Sequence, residues 1–378
     1  MTLQTGTPRQ AGLDEERLHV LEALLAEGVR GGVFPGAVGL IARGGVVGWR
    51  HAHGHAQLTP AQRPAGKDTI YDLASLTKVL AALPVALALV ERGMMDLDAP
   101  VHSILPEFSG EARPFVTFRQ LLAHTSGLPS WRALYLRAPT RALVLGEICR
   151  TPLAAAPGRT VEYSDLGILL LGFAMERLTS ARIDELAASY VTKPLGLQET
   201  LYTPPAALRG RCAATEAGHG YEREKVGDEG RGYRWEREVM VGEVHDGNAH
   251  YAMEGVAPHA GLFSTAREVA LIAQEWLRPG GLLSEASVAE AVADQRAGAD
   301  GYPRGLGWVL HHEGTFFDAF GQRAFGHTGF TGTSLAVDPD QDLIAVLLTN
   351  RVHLGGGNTK IQDFRPRFHH AVREALRG

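Results

Sequence analysis

β-type runs lie toward both ends of the chain, and most of what stands between them reads as helix. Near the N-terminus, "AVGLIARGGVVGWRHAHG" holds two short apolar runs around Gly44-Gly45, the pattern of a hairpin. Strand character returns after residue 304 in "RGLGWVLHHEG", "GTSLAVDP" and "DLIAVLLTN", with Asp338-Pro339-Asp340 as a turn between the last two. Amphipathic helices are expected over 14–28, where Leu18, Leu21, Leu24 and Leu25 share a face, and over about 363–376. Between them the spacing predicts helices over 76–92, 117–123, 167–178, 183–190 and 265–276. The last of these opens with a Thr265-to-Glu268 capping box. This arrangement predicts an α/β (α+β) fold: an antiparallel sheet built from both chain ends, flanked by helices, with an all-helical domain inserted. The expected boundaries are 1–72 with 297–378 for the sheet domain and 73–296 for the helical one. Within the latter, 213–262 is rich in glycine, charge and aromatics and reads as a long ordered loop region.

Composition excludes several functions. The net charge of −5 and the lack of a long basic run leave no footprint for nucleic acid. The longest apolar run, residues 79–90, is twelve residues, short of the about 18 that span a bilayer. The first 25 residues show no basic segment followed by an apolar one, so no signal peptide is expected and the cytoplasm is the expected location. Cys149 and Cys212 cannot make a disulfide framework. Nothing bears on oligomeric state.

Within "YDLASLTKVLAALPVALALVERG", Lys78 follows Ser75 by three positions at the head of an apolar run. On a helix these positions are neighbours, with Cβ atoms roughly 5–6 Å apart. A serine hydroxyl needs a base before it is a good nucleophile. A lysine at its ordinary pKa of about 10.4 is protonated at neutral pH, and burial lowers it. An apolar helix is therefore a plausible place to make a lysine basic, although Ser-x-x-Lys alone is a short pattern.

Two more motifs follow at long range: Tyr163-Ser164-Asp165 in "VEYSDLGILLLG" and His327-Thr328-Gly329 in "FGHTGFTGTSLAVDP". Together the three resemble the serine β-lactamase and penicillin-binding-protein superfamily, with its S-x-x-K, Y-x-N and K/H-T-G elements, and most closely its class C branch with esterase and peptidase relatives. "FPGAVGLIARGG", "DTIYDLASLTKVL", "LLAHTSGLP", "KPLGL" and "HAGLFSTAREVA" are similar to that family's phrases in its order. The resemblance implies Ser75 as nucleophile, with Lys78 and Tyr163 sharing the base and proton-relay roles. It implies an oxyanion hole from the backbone N–H groups of Ser75 and Phe330, and substrate contacts from Asp165, His327, Thr328 and Gly329. No cofactor or metal is implied. The expected reaction is hydrolysis of a small ester, amide or β-lactam through an acyl-enzyme. A carboxylesterase with weak β-lactamase activity is favoured, a D-amino-acid peptidase or DD-peptidase is the alternative, and a non-catalytic binding relative is a further one.

Two departures shape that expectation. Asp165 stands where the family usually has Asn, and His327 where β-lactamases generally have Lys. Asp165 is expected to orient Lys78 and favour its charged form, against burial. His327, titrating near about 6.5 if unperturbed, is expected to read substrate charge, so selectivity for carboxylates should rise from pH 8 to pH 6. Outside the motifs, His51, His53 and His55 alternate along a strand and are expected at a surface edge rather than on a metal. His124 is expected to fix a loop, and Ser264-Thr265 to cap a helix. His245, Asp246, Asn248 and His259 are expected to hold the 213–262 loop by hydrogen bonds, with pocket lining as the alternative. Tyr233 and Trp235 are candidates for covering the site.

Overall fold

The computed structural model describes residues 3–110 and 113–377. Its main sheet is formed by β1 (Gln4–Thr5), β2 (Gly36–Arg43), β3 (Val46–Gln57), β4 (Val309–Leu310), β5 (Phe325–Thr328), β6 (Ser334–Asp338) and β7 (Leu343–Thr349), in the order β1-β3-β2-β7-β6-β5-β4. The two ends of the chain meet at the β2–β7 pair, which runs antiparallel from Ala37↔Thr349 to Arg43↔Leu343. The expected hairpin forms, with Gly44 and Gly45 both at positive φ. Pairing is antiparallel except at the edge, where β1 lies parallel to β3. The strand expected near residue 306 shrinks to Val309–Leu310.

Side-chain alternation gives the sheet two apolar faces. Val38, Leu40, Ile344, Val346 and Leu348 point into the larger core, where α4 (Ala266–Leu277) packs. Ala37, Ile41, Ala345 and Leu347 point the other way, onto α1 (Glu15–Arg30) and α5 (Ile361–Glu374). Asp14 caps α1, accepting from the Glu16 N–H at 2.9 Å. The larger core continues into the helical region around α2 (Leu83–Glu91) and α3 (Asp165–Thr179), whose Leu166, Leu169 and Leu170 are fully buried. α2 continues the helical segment that begins at Lys78, and α3 begins at Asp165 of the second motif.

Two expectations need correction. The 213–262 region is not simply loop: it carries short strands at Ala214–Ala217 and Val239–Val241 and a short helix at Gly220–Val226. The capping box at α4 is only half formed. Thr265 accepts the Glu268 N–H at 3.4 Å, but the Glu268 carboxylate turns to the N–H groups of Gln198 and Glu199 and the Thr200 hydroxyl. Cys149 and Cys212 are both free thiols. Among the described residues no helix is long and apolar enough to cross a membrane.

Candidate active site

Ser75 sits on a tight turn between the short strand Tyr71–Asp72 and the helical segment that starts at Lys78. The turn is strained at Ala74, which has φ of 48°, a left-handed conformation costly for a residue with a Cβ. Asp72 holds that turn, accepting the Ala74 N–H on one carboxylate oxygen and the His245 N–H on the other, both at 2.8 Å. The first turn after Ser75 is a π-type segment, Lys78–Ala82, which turns the Lys78 side chain back toward the serine.

Lys78 is 1% exposed and has three oxygen neighbours for its three N–H groups. Nζ lies 3.0 Å from Ser75 Oγ, 3.0 Å from the His259 carbonyl and 2.7 Å from Asp165 Oδ1. Burial is the largest influence on Lys78 and pulls its pKa down. The Asp165 carboxylate and the Tyr163 oxygen together outweigh it, so the amine is held above its ordinary value. Of the two opposed effects expected from the sequence, the carboxylate wins, and Lys78 rests as an ammonium. Tyr163 has its ring centroid 4.9 Å from Nζ. Its hydroxyl is buried without a hydrogen bond of ordinary geometry, yet close enough to Lys78 and Ser75 for both to act on it. Burial dominates there and raises the phenol, which rests neutral. His124 behaves as expected: it is fully buried, accepts the Ser164 N–H at 3.0 Å and packs its ring on Tyr163, fixing the motif before α3.

The third motif lies on β5 and the turn after it. The backbone N–H groups of Ser75 and Phe330 have no hydrogen-bond partner among the described residues. Gly329 is required by the approach between them, because a Cβ there would lie 2.1 Å from Thr333 Oγ1 and 2.4 Å from the Leu73 carbonyl. Thr331 and Thr333 tie this turn to the nucleophile's strand, donating to the carbonyls of Asp72 and Leu73 at 2.7 and 3.0 Å. His327 is 3% exposed and donates its Nδ1–H to the Thr328 carbonyl at 2.8 Å. Burial, reinforced by Arg304 and Lys78, holds it well below its ordinary pKa. Burial therefore favours the neutral imidazole, against the expectation that His327 reads substrate charge by titrating.

Two cavities meet at Ser75, Tyr163, Tyr221 and Phe330. The smaller, about 200 Å³, has apolar walls at Ala74, Trp131 and Ala260 and carboxylates at Asp165, Asp246 and Glu222. The larger, about 420 Å³, runs along His327–Gly329 and contains Arg304, Arg351 and Arg365. The 213–262 segment reaches both: His245, Asp246 and His259 line the smaller one, as do Tyr221, Glu222 and Lys225 of the short helix. Asn248 does not. It bonds the Leu134 N–H and the Arg132 carbonyl, a structural role. Tyr233 and Trp235 pack on Tyr135 behind Glu222 rather than over Ser75. Burial and the Asp246 charge push Glu222 up to about 7, against a hydrogen bond from Tyr135.

Asp165, Asp246 and His259 bring ligand atoms within 4.8 Å of one another, a spacing that could hold a metal ion. Lys78 already supplies a cation to Asp165, and His259 Nε2 bonds Asp246 at 3.0 Å. His51, His53 and His55 lie on β3, partly exposed, with His51 stacked on His53 and meeting Glu22 at 3.3 Å. Sequence reasoning missed Arg304, Arg351, Arg365, Tyr221 and Glu222, none of which stands in a recognisable motif.

A serine, a lysine and a tyrosine converge beside two open backbone N–H groups, next to the strand of the third motif on the shared sheet, an arrangement that can carry serine acyl transfer. Residues 21–364 match the family model described as beta-lactamase. The chain belongs to the β-lactamase family of serine hydrolases. A putative D-alanyl-D-alanine carboxypeptidase of Salmonella agona is 30% identical over 391 aligned residues, spanning 95% of this chain and 88% of that protein. Among solved structures, EstCE1, a hydrolase with promiscuous acyltransferase activity, superposes with a TM-score of 0.74 at 22% identity, covering 96% of this chain and 99% of EstCE1. A penicillin-binding-protein homologue from Caulobacter crescentus gives 0.72 at 21% identity, covering 97% and 99%. These two likenesses describe the fold.

Proposed function

We propose that the protein hydrolyses small acyl substrates bearing a carboxylate, through a covalent intermediate on Ser75. The observation that carries this reading is the three-way contact of Lys78 with Ser75, Asp165 and the His259 carbonyl, next to a cavity lined with arginines. Because Lys78 rests as an ammonium, it must release a proton before it can take one. Asp165 is the acceptor in contact. As Ser75 Oγ bonds to the substrate carbonyl carbon, its proton passes to Lys78 while Lys78 passes one to Asp165. The oxyanion forms between the N–H groups of Ser75 and Phe330, donors of the kind whose loss costs about 10²–10³ in kcat. Tyr163 then protonates the leaving atom and is refilled from Lys78, which recovers its proton from Asp165. Water reverses the sequence to release the acid.

An ester that carries a carboxylate satisfies both the expected esterase chemistry and the arginines. The positive charge beside His327 comes from outside the three motifs. Arg351 and Arg365 lie at about 10 and about 9, lowered chiefly by burial, so they stay charged at pH 8. Esters of lactamide and lactate with the same acyl group test the reading. Lactate should be favoured in kcat/KM by about tenfold or more, the scale of one hydrogen bond involving a charged group. With neither His327 nor the arginines titrating, that ratio should be equal at pH 6 and pH 8. Equal rates for the two esters would remove the carboxylate from the reading, and a ratio that rises in acid would restore a titrating histidine.

A second expectation concerns His245, which acts as a positioning residue. Its ring stacks on Phe330 with centroids 5.6 Å apart, and Nε2 meets Glu216 at 3.0 Å. Glu216 also accepts the N–H groups of Tyr221 and Gly356, so one carboxylate gathers three segments around the Phe330 turn. Burial opposes the imidazolium, but Glu216 and Asp72 outweigh it and raise His245. In Glu216→Gln the Phe330 N–H should lose its fixed aim, lowering kcat per titrated active site about tenfold with little change in KM, a fraction of removing the donor outright. Affinity for a boronic acid adduct should fall in parallel. Wild-type kcat in this variant would leave His245 and Glu216 a purely structural pair.

A further inference from the structure

The larger cavity carries more positive charge than one carboxylate can neutralise. Its three arginines come from the loop before β4, the turn after β7 and helix α5. Arg304 is 1% exposed and donates to the Gly307 carbonyl at 3.3 Å. Arg351, also buried, donates to the carbonyls of Gly356 and Asn358 and lies 4.5 Å over the Phe330 ring. Arg365 donates to the carbonyls of Gly329 and Thr333 at 2.6 and 3.1 Å. In all three the Nε atom is buried without a partner. No Asp or Glu is among the residues lining the cavity. Glu216 acts on Arg351 from further off and is itself bonded to His245. Buried charges left unpaired are strongly unfavourable, and proteins retain them where a partner arrives.

The guanidinium groups fall into two positions. Arg304 stands beside the reacting groups: it is 5.6 Å from the Tyr163 ring centroid and is the foremost charge acting on His327, with Arg365 a weaker influence. Arg351 and Arg365 stand together on the far side of Phe330 and Gly329, close enough that Arg351 lowers Arg365 beyond the effect of burial. Tyr163, which protonates the leaving atom, borders both cavities, and of the two only this one is lined by arginines. We propose that this cavity is a two-anion subsite: the half of the substrate released on acylation carries two carboxylates, one met by Arg304 and the other by the Arg351–Arg365 pair. This rests on the carboxylate reading above and narrows it to dicarboxylate leaving groups.

The test extends the ester series by one member. Lactamide, lactate and malate esters of one acyl group present zero, one and two carboxylates in the leaving group. The expected kcat/KM rises at both steps, by about tenfold each, the scale of a charged hydrogen bond. No gain from lactamide to lactate sinks the underlying reading. A gain at that step with none from lactate to malate sinks the two-anion proposal alone. In Arg351→Met the second step should collapse toward unity while the first persists. A folded variant that keeps the full malate preference overturns the assignment to the Arg351–Arg365 pair. Should that variant not fold, the wild-type series still decides.

Discussion

Ser75→Ala is expected to abolish acyl-enzyme formation and to lower turnover by at least about 10⁴-fold, the scale of removing the nucleophile from a catalytic unit. Three features converge on this serine alone: the Lys78 amine at 3.0 Å, the strained Ala74 turn that presents it, and an N–H left open beside that of Phe330. The other serines of the motif segments are engaged elsewhere. Ser164 Oγ donates to the Pro129 carbonyl and caps α3, Ser126 accepts the Leu128 N–H, and Ser264 pairs with Thr200. Incubation with a fluorophosphonate followed by peptide mass spectrometry should place the adduct on the Ser75 peptide. An adduct confined to any of the other three would displace the assignment.

Lys78→Arg is expected to reduce acylation by about 10²–10⁴-fold, the range contributed by general-base transfer, because a guanidinium cannot release its proton at neutral pH. Asp165→Asn then separates two ways of using the lysine. In the relay through Asp165, the wild-type pair holds one proton between them, and activity requires only that the carboxylate be ionised. Without that carboxylate, activity requires a neutral Lys78, so the acid limb of kcat/KM moves to higher pH. If Lys78 instead works only as a neutral amine in the wild type, the limb starts above its raised pKa. Removing Asp165 then leaves burial less opposed and moves the limb to lower pH. The direction of displacement decides between them, and a downward one excludes the relay.

The parts of the site legible in sequence were those tied to a helix or a strand. Ser75 and Lys78 are readable because three residues are nearly one helical turn. Tyr163 and Asp165 are readable because they stand at the start of α3, and His327–Gly329 because they lie at the end of a strand of the main sheet. The pairing of both chain ends followed from the short apolar β-type runs now seen as β2, β3, β6 and β7. What stayed hidden was charge carried by single residues. Arg304, Arg351 and Arg365 lie on three segments with no shared spacing, and only the fold gathers them. Electrostatic environment was hidden as well: His327 looked like a titrating group until burial made it neutral. The helix at Gly220–Val226 is too short to leave a period, so Tyr221 and Glu222 were indistinguishable from the surrounding loop.

The threonine bonds that join the Phe330 turn to the Asp72–Leu73 backbone bear on how material enters and leaves. Thr331 and Thr333 clasp the two walls of the cleft directly behind the reacting atoms, and Gly329 leaves no slack between them. Hinged parting of the walls would break both clasps and pull the two open N–H groups off their common target. Traffic must therefore run lengthwise, along the trench formed by the two cavities. On the two-anion reading, the first product leaves past the arginines and the acid past Trp131 and Lys225 at the opposite mouth. Bulk added at either mouth is then expected to slow one half of the cycle without touching the other.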